Sequence, residues 1–406
     1  MIVAVVAGAL ANKPGNGGEA WVRPSWVRGL ARLGLDVWLV ESLASTAAVD
    51  ADGHPSSVEA SINARFFREV TDAFGLAERS LLLVDGRPRE EDAALWRDLG
   101  DSCRLLINIS GHLEPDAWFD HIPLRVYVDL DPGYTQVWHR QGLLGDVLER
   151  HHAHYTVGAN VGRPGCGVPV DGTRWRSIRP PVLLDEWTTA GAPIPAETTD
   201  STRTEAEGVA RAAGGRRFTT VAGWRGAYGS LDTGHGVLGA KAHEWRRFRD
   251  LPSRCPRHVF EAAIQIHVAD ATDRDALRAA GWRLACPRDV AGTPAAYRGY
   301  VRGSDAEFSV AQGAYVALRT GWFSDRSARY LAAGRPVLLQ DTGLEDTLPV
   351  GEGLVPFETP EDAAAGADHI ASDYDAHARA ARRLAVEHFD SDRVLGRFLD
   401  ELKVCP

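Results

Sequence analysis

Apolar and polar positions along the chain fall into blocks that read in turn as strand, loop and helix. Ile2 to Val6 is a short apolar run, Ala11-Asn12-Lys13-Pro14-Gly15-Asn16-Gly17-Gly18 is a loop, and Trp21 to Leu33 carries apolar residues at helical spacing. Gly34 stops that helix and Leu35 to Val40 forms a second strand ending at Glu41, so the chain opens with a βαβ unit whose strands are expected to be parallel. Leu81 to Val84, Leu105 to Ile109, Leu124 to Val128 and His154 to Val157 are further strand candidates, and one doubly wound sheet accounts for all of them. From Pro180 to Arg217 the periodicity gives way to Pro, Thr, Ala, Glu and Gly, the composition of a linker or surface insert. Strands are then expected at Phe218 to Ala222, His258 to His267, Trp282 to Leu284, Ala314 to Leu318 and Pro336 to Gln340. Helices are expected near Ala240 to Phe248 and at Asp273 to Ala280, Ser324 to Ala333, Pro360 to Ile370 and Asp375 to His388. The expected fold class is α/β, with one doubly wound domain at residues 1–180, a linker at 181–217, a second domain at 218–385 and a terminal helix at 386–406.

A length of 406 residues exceeds what one ordinary core holds, which agrees with two domains. With 44% hydrophobic and 25% charged residues, a largely disordered chain is excluded. The net charge is −10 and no basic block appears, so neither nucleic acid nor an anionic membrane surface is expected as a partner, and any phosphate must be held locally. Cys103, Cys166, Cys255, Cys286 and Cys405 are scattered without a CxxC pair, which fits a reducing compartment. The first apolar run lacks the flanks of a signal peptide, and no stretch approaches the roughly 18 apolar residues of a membrane helix, so a cytoplasmic location is expected. No metal site is expected either: His151-His152-Ala153-His154 lacks a partner at ligand spacing. The Gly-x-Ser-x-Gly and P-loop patterns are absent, and the first loop is not a GxGxxG fingerprint.

The most informative stretch runs from Tyr315 to Gly343. It reads as a strand, the small-residue loop Thr320-Gly321, a helix opening at Ser324-Asp325-Arg326-Ser327, a stop at Gly334 and a strand leading to Asp341-Thr342-Gly343. Such a helix start offers unpaired N–H groups and a positive dipole end to an anionic diphosphate; equally, Ser324 and Asp325 are good caps.

Ala332-Ala333-Gly334-Arg335-Pro336-Val337 and Asp341-Thr342-Gly343 resemble the donor-binding half of GT-B glycosyltransferases, in particular family 4 and family 1-like enzymes. The resemblance covers most of the chain and implies two Rossmann-like domains facing a cleft, with the C-terminal helix crossing back to the first. It also implies transfer of a sugar from a nucleotide-sugar donor to a small-molecule or glycan acceptor, without an essential metal or a separate cofactor, and it leaves a homodimer open. Ser324, Asp325, Arg326, Ser327, Gly321, Asp341, Thr342 and Gly343 become donor-binding candidates. Arg225 and Lys241 match the positions where such enzymes present two cations to the diphosphate; the alternative is ordinary surface charge. In one place the chain departs from the family: the two glutamates that family 4 enzymes carry eight positions apart fall here on Gly321 and Arg329.

In the first domain, Gly15, Asn16, Gly17 and Gly18 are candidates for the cleft loop, since glycines permit close backbone approach. Glu19 either contacts acceptor, acts as base, or simply favours the helix start. His112, followed by Glu114-Pro115 after a strand end, resembles the histidine beside the transferred sugar in family 4 enzymes. Asp129 and Asp131 on the next loop either handle an acceptor proton or build a turn. Two further readings are compatible: a sugar-nucleotide epimerase of the same fold, and a non-catalytic GT-B-like subunit, which the missing glutamates motivate.

Overall fold

The computed structural model describes residues 1–114, 117–188, 214–226 and 228–405. The chain divides into two compact units, one of Met1–Pro164, Val168–Leu183 and Ser391–Pro406, the other of Gly165–Gly167 and Leu184–Asp390.

The first unit is built on seven strands, β1 (Val3–Ala7), β2 (Asp36–Leu43), β3 (Ser80–Val84), β4 (Cys103–Ile109), β5 (Leu124–Asp129), β6 (Ala153–Thr156) and β7 (Trp175–Ser177). They pair in parallel in the order β3-β2-β1-β4-β5-β6-β7. Central strands such as Val-Ala-Val-Val-Ala and Cys-Arg-Leu-Leu-Ile-Asn-Ile are almost wholly apolar, as a sheet covered on both faces requires. One covering helix, Val22–Arg32, packs against the terminal helix Ser391–Leu402. Trp26 meets Phe398 edge to face at 5.5 Å, and Gly29 leaves room for Leu395, whose Cδ1 would lie 2.5 Å from any Cβ there. The last helix thus belongs to the first unit.

In the second unit, β8 (Arg217–Gly223) is followed by the two-stranded hairpin β9 (Leu231–Asp232) and β10 (Val237–Leu238). Then come β11 (Val259–Gln265), β12 (Arg283–Ala285), β13 (Ala306–Ser309), β14 (Val337–Gln340) and β15 (Leu354–Phe357). Six of these strands form a parallel sheet of order β12-β11-β8-β13-β14-β15. Aromatic rings dominate its core, with Phe308 stacked on Phe357 at 5.1 Å and Trp245, Phe260 and Trp282 packed around them.

Both sheets have the Rossmann strand order, in which the direction of travel reverses beside the first strand. That reversal opens a crevice at the carboxyl ends of the two flanking strands, where ligands of open α/β sheets bind. The crevice lies between β1 and β4 in the first unit and between β8 and β13 in the second.

Several expectations need correction. Ala314 to Leu318 is not a strand; Gly313–Ala317 is a short helix, and the strand of that region is Ala306–Ser309. A five-residue apolar run does not distinguish the two, and Glu307 in the middle of the true strand hid it. β15 was not anticipated, and β2 continues past Glu41 to Leu43. Residues 189–213, the larger part of the expected linker, lie outside the described residues, as does Pro115. Among the described residues no helix is long and apolar enough to cross a membrane.

Candidate functional site

The crevice of the second unit is lined by charge. Arg326, near the start of the helix Asp325–Ala332, turns inward and donates from Nη1 to the Val221 carbonyl at 2.7 Å and from Nη2 to Ser309 Oγ at 2.6 Å, so it ties β8 to β13. Its Nε pairs with Glu307, which is wholly buried and whose Oε2 has no hydrogen-bond partner among the described residues. Lys241 opens the helix Lys241–Arg247 beside this pair. It is 8% exposed and, among the described residues, makes no hydrogen bond or ion pair. Burial pushes its ammonium down to about 7, Arg326 adds to the effect and Glu307 opposes it.

Two loops beside the crevice are locked together. Gly321 N–H donates to the Thr342 carbonyl at 2.7 Å, and Thr342 Oγ1 to the Trp322 carbonyl at 2.7 Å. Asp341 Oδ1 accepts from the N–H groups of Gly343 and Leu344, each at 3.0 Å, while its other oxygen lies 3.5 Å from Arg319. Gly321 and Gly343 have φ of 67° and 87°, a region open to glycine at little cost.

The turn Ser324–Ser327 does not have the form expected of a phosphate cradle. Ser324 Oγ caps the helix by accepting from Arg326 N–H at 3.2 Å, Asp325 pairs with Arg329 one turn on, Arg326 faces the core, and Ser327 is wholly buried. Arg225 lies outside the crevice, where Asp270 holds it through two hydrogen bonds of 2.8 and 3.0 Å. Lys241 and Arg326 therefore come together, and Arg225 and Ser327 do not join them.

In the first unit the loop after β1 is pinned by a residue whose role the sequence did not reveal. Glu41, buried on β2, accepts from the N–H groups of Leu10, Ala11 and Asn12 at 2.7, 2.6 and 3.0 Å. Burial raises its pKa, and these three donors oppose the shift. Farther along, Gly15 takes a φ of 75° and Asn16 Oδ1 accepts from Glu19 N–H at 3.2 Å, with Gly17 and Gly18 between them. Glu19 bridges Lys13, at 3.4 Å, and Arg23. Burial alone would raise its carboxyl, but the two cations outweigh that and hold it at about 2, which makes it a poor base.

Arg23 is 1% exposed and lies against Gly8, where a Cβ would stand 2.8 Å from its Cγ and Nε. Gly8→Ala is expected to cost about 1–3 kcal/mol through overpacking, read as a lower midpoint in urea. An unchanged midpoint would show that Arg23 moves aside freely.

His112 follows the left-handed pair Ser110 and Gly111, with φ of 56° and 70°. Asn108 clamps the turn through Leu113, donating to its carbonyl at 2.9 Å and accepting from its N–H at 3.1 Å. Burial, then Arg23 and Lys13, push the imidazole down to about 4, so it is neutral near pH 7. Asp129 is sealed: its carboxylate accepts from Asp131 N–H at 2.9 Å, Thr135 Oγ1 at 2.7 Å, Gln136 Nε2 at 2.9 Å and Thr156 Oγ1 at 2.7 Å. Four donors occupy its oxygens, so it fixes the loop and has no lone pair for an acceptor proton. Asp131 is half-buried on the same loop.

No protein-family model and no curated sequence matches this chain. Solved structures do. An alpha-glucosyltransferase in complex with UDP and mismatched DNA is 12% identical with a TM-score of 0.54, over 99% of both chains. HepE of Anabaena in complex with UDP-glucose is 12% identical with a TM-score of 0.54, over 99% of this chain and 100% of that one. The alpha-glucosyltransferase also appears with UDP-glucose and DNA containing an abasic site, at 12% identity and a TM-score of 0.54 over 99% of each chain.

These neighbours overturn the expectation that nucleic acid is excluded as a partner, because a protein with this architecture is solved on DNA. Contact with a phosphate backbone depends on local cations, which net charge does not report. The two parallel sheets, their matching strand order and the likeness along the whole chain establish that the chain has the GT-B fold.

Proposed function

We propose that this chain is a glycosyltransferase that holds the diphosphate of a nucleotide-sugar in the crevice between β8 and β13. Lys241 carries the reading: an ammonium on a largely buried side chain, with no hydrogen-bond or ion-pair partner among the described residues, stands at the carboxyl edge of a Rossmann sheet, where an anion would complete it. The UDP held by the structural neighbours is such an anion. As the bond between the sugar and the diphosphate breaks, negative charge grows on the departing phosphate and Lys241 offsets it, so protein charge does the work for which other transferases use a metal. Arg326, held by Glu307, Val221 and Ser309, shapes the floor beneath it. Gly321, Asp341, Thr342 and Gly343 supply a rigid loop pair beside the donor.

In the first unit, neutral His112 can both donate to and accept from a sugar hydroxyl. Of the three carboxylates considered as base, Glu19 is too acidic and Asp129 is fully engaged, which leaves Asp131. The acceptor is a hydroxyl-bearing molecule, nucleic acid included. One observation favours the non-catalytic alternative: Arg329 stands wholly buried and paired with Asp325 where family 4 enzymes carry a glutamate.

A thermal-shift panel of UDP, GDP, dTDP and their sugars tests the donor site. The matching nucleotide at a hundredfold excess over its Kd is expected to raise the melting temperature by about 5–10 °C. No shift with any member would remove the donor site from this crevice. NMR with donor alone then separates an epimerase, which converts it, from a transferase, which does not.

A further inference from the structure

Gln312 lies three residues past the end of β13, and its backbone caps the helix Gly313–Ala317. The residue is only 6% exposed, yet among the described residues its side-chain amide makes no hydrogen bond, and Oε1 is fully buried without a partner there. Gly226 makes room for it. A Cβ on Gly226, whose φ is 81°, would stand 2.2 Å from Nε2 and 2.8 Å from Oε1, and a Cβ on Gly313 would stand 2.6 Å from the Gly239 carbonyl. The amide therefore lies against the loop leaving β8, and the backbone of the next residue lies against the segment that leads two residues later to Lys241.

An unsatisfied buried amide lowers stability, and a polar group left so at a ligand crevice points to a group that completes it. The chemistry of the amide limits what that group is. A primary amide offers an acceptor and a donor; a phosphate only accepts and would leave Oε1 orphaned. A sugar hydroxyl donates and accepts, and two adjacent hydroxyls match both ends of the amide.

We propose that Gln312 reads the transferred sugar, Oε1 accepting from one hydroxyl and Nε2 donating to its neighbour. The assignment rests on the crevice between β8 and β13 being the donor site.

The full chain and its Gln312→Met variant, compared by isothermal titration with UDP and with UDP-glucose, test it. Methionine keeps the volume and removes both polar atoms. The variant is expected to bind UDP within twofold of the wild type, to bind UDP-glucose about tenfold more weakly, and to melt no lower, because no internal hydrogen bond is lost. Equal losses for UDP and UDP-glucose would assign Gln312 to the nucleotide and overturn the proposal, as would no loss for either. Should methionine fail to fold, Gln312→Ala gives the same comparison. A wild type that binds neither ligand overturns the donor site and this assignment together, whereas a wild type that binds UDP leaves the donor site standing whatever the variant does.

Discussion

Lys241→Met is expected to lower turnover of the best nucleotide-sugar by about a hundred- to a thousandfold, roughly 3–4 kcal/mol of transition-state stabilisation, while the fold survives. Methionine matches the aliphatic stem of lysine, and the ammonium has no hydrogen-bond or ion-pair partner among the described residues to lose. The pH dependence follows from the sign of its shift. In the free protein its pKa of about 7 lies below the ordinary 10.5, so between those values the unfolded chain holds more protons than the folded one. Stability of the free protein therefore gains from this group as pH rises through that window, and the gain disappears in Lys241→Met. A bound diphosphate favours the charged form, so nucleotide affinity should fall as pH rises above about 7, with proton uptake on binding. Melting curves and titrations from pH 6 to 9 check both slopes. Unchanged kinetics in the variant would reduce Lys241 to a buried structural charge.

Glu307→Ala is the substitution with the largest expected cost to stability, about 3–5 kcal/mol, because it strands Arg326 inside the unit with only the Val221 carbonyl and Ser309 Oγ. Glu307→Gln keeps one acceptor for the guanidinium and should cost less. Denaturant melts of the two variants measure the difference. A mild effect from Glu307→Ala would mean that Arg326 swings outward at little cost, making it a second cation for the diphosphate.

The sheets were legible because their inner strands are buried on both faces, so Val3 to Ala7 and Leu105 to Ile109 read as plain apolar runs. Ala306–Ser309 was not, since a buried glutamate interrupts it. That same glutamate governs the candidate site, where the loss of one strand and the misreading of Arg326 have a single cause. Lys241 could be picked out by its position, but its isolation could not, because burial of an ammonium depends on what β13 brings beside it. Carboxylates misled in the opposite direction. Asp129 looks like a base in the sequence and proves to be a clamp, because Thr135, Gln136 and Thr156 converge on it from two elements. Gln312 carried no signal, for its meaning lies in Gly226, more than 80 residues upstream.

The helix Ser391–Leu402 bears on the order in which the protein is made. Its Leu395 and Phe398 cover Gly29 and Trp26 on the first unit, and Tyr155 donates to Glu401 at 2.9 Å. A ribosome delivers these residues only after the whole of the second unit. Apart from Gly165–Gly167, the second unit is one uninterrupted stretch, Leu184–Asp390, and every part of it is available before the first unit can close its surface. The half synthesised first is thus the half completed last, with Trp26 uncovered on the nascent chain throughout translation of the second unit.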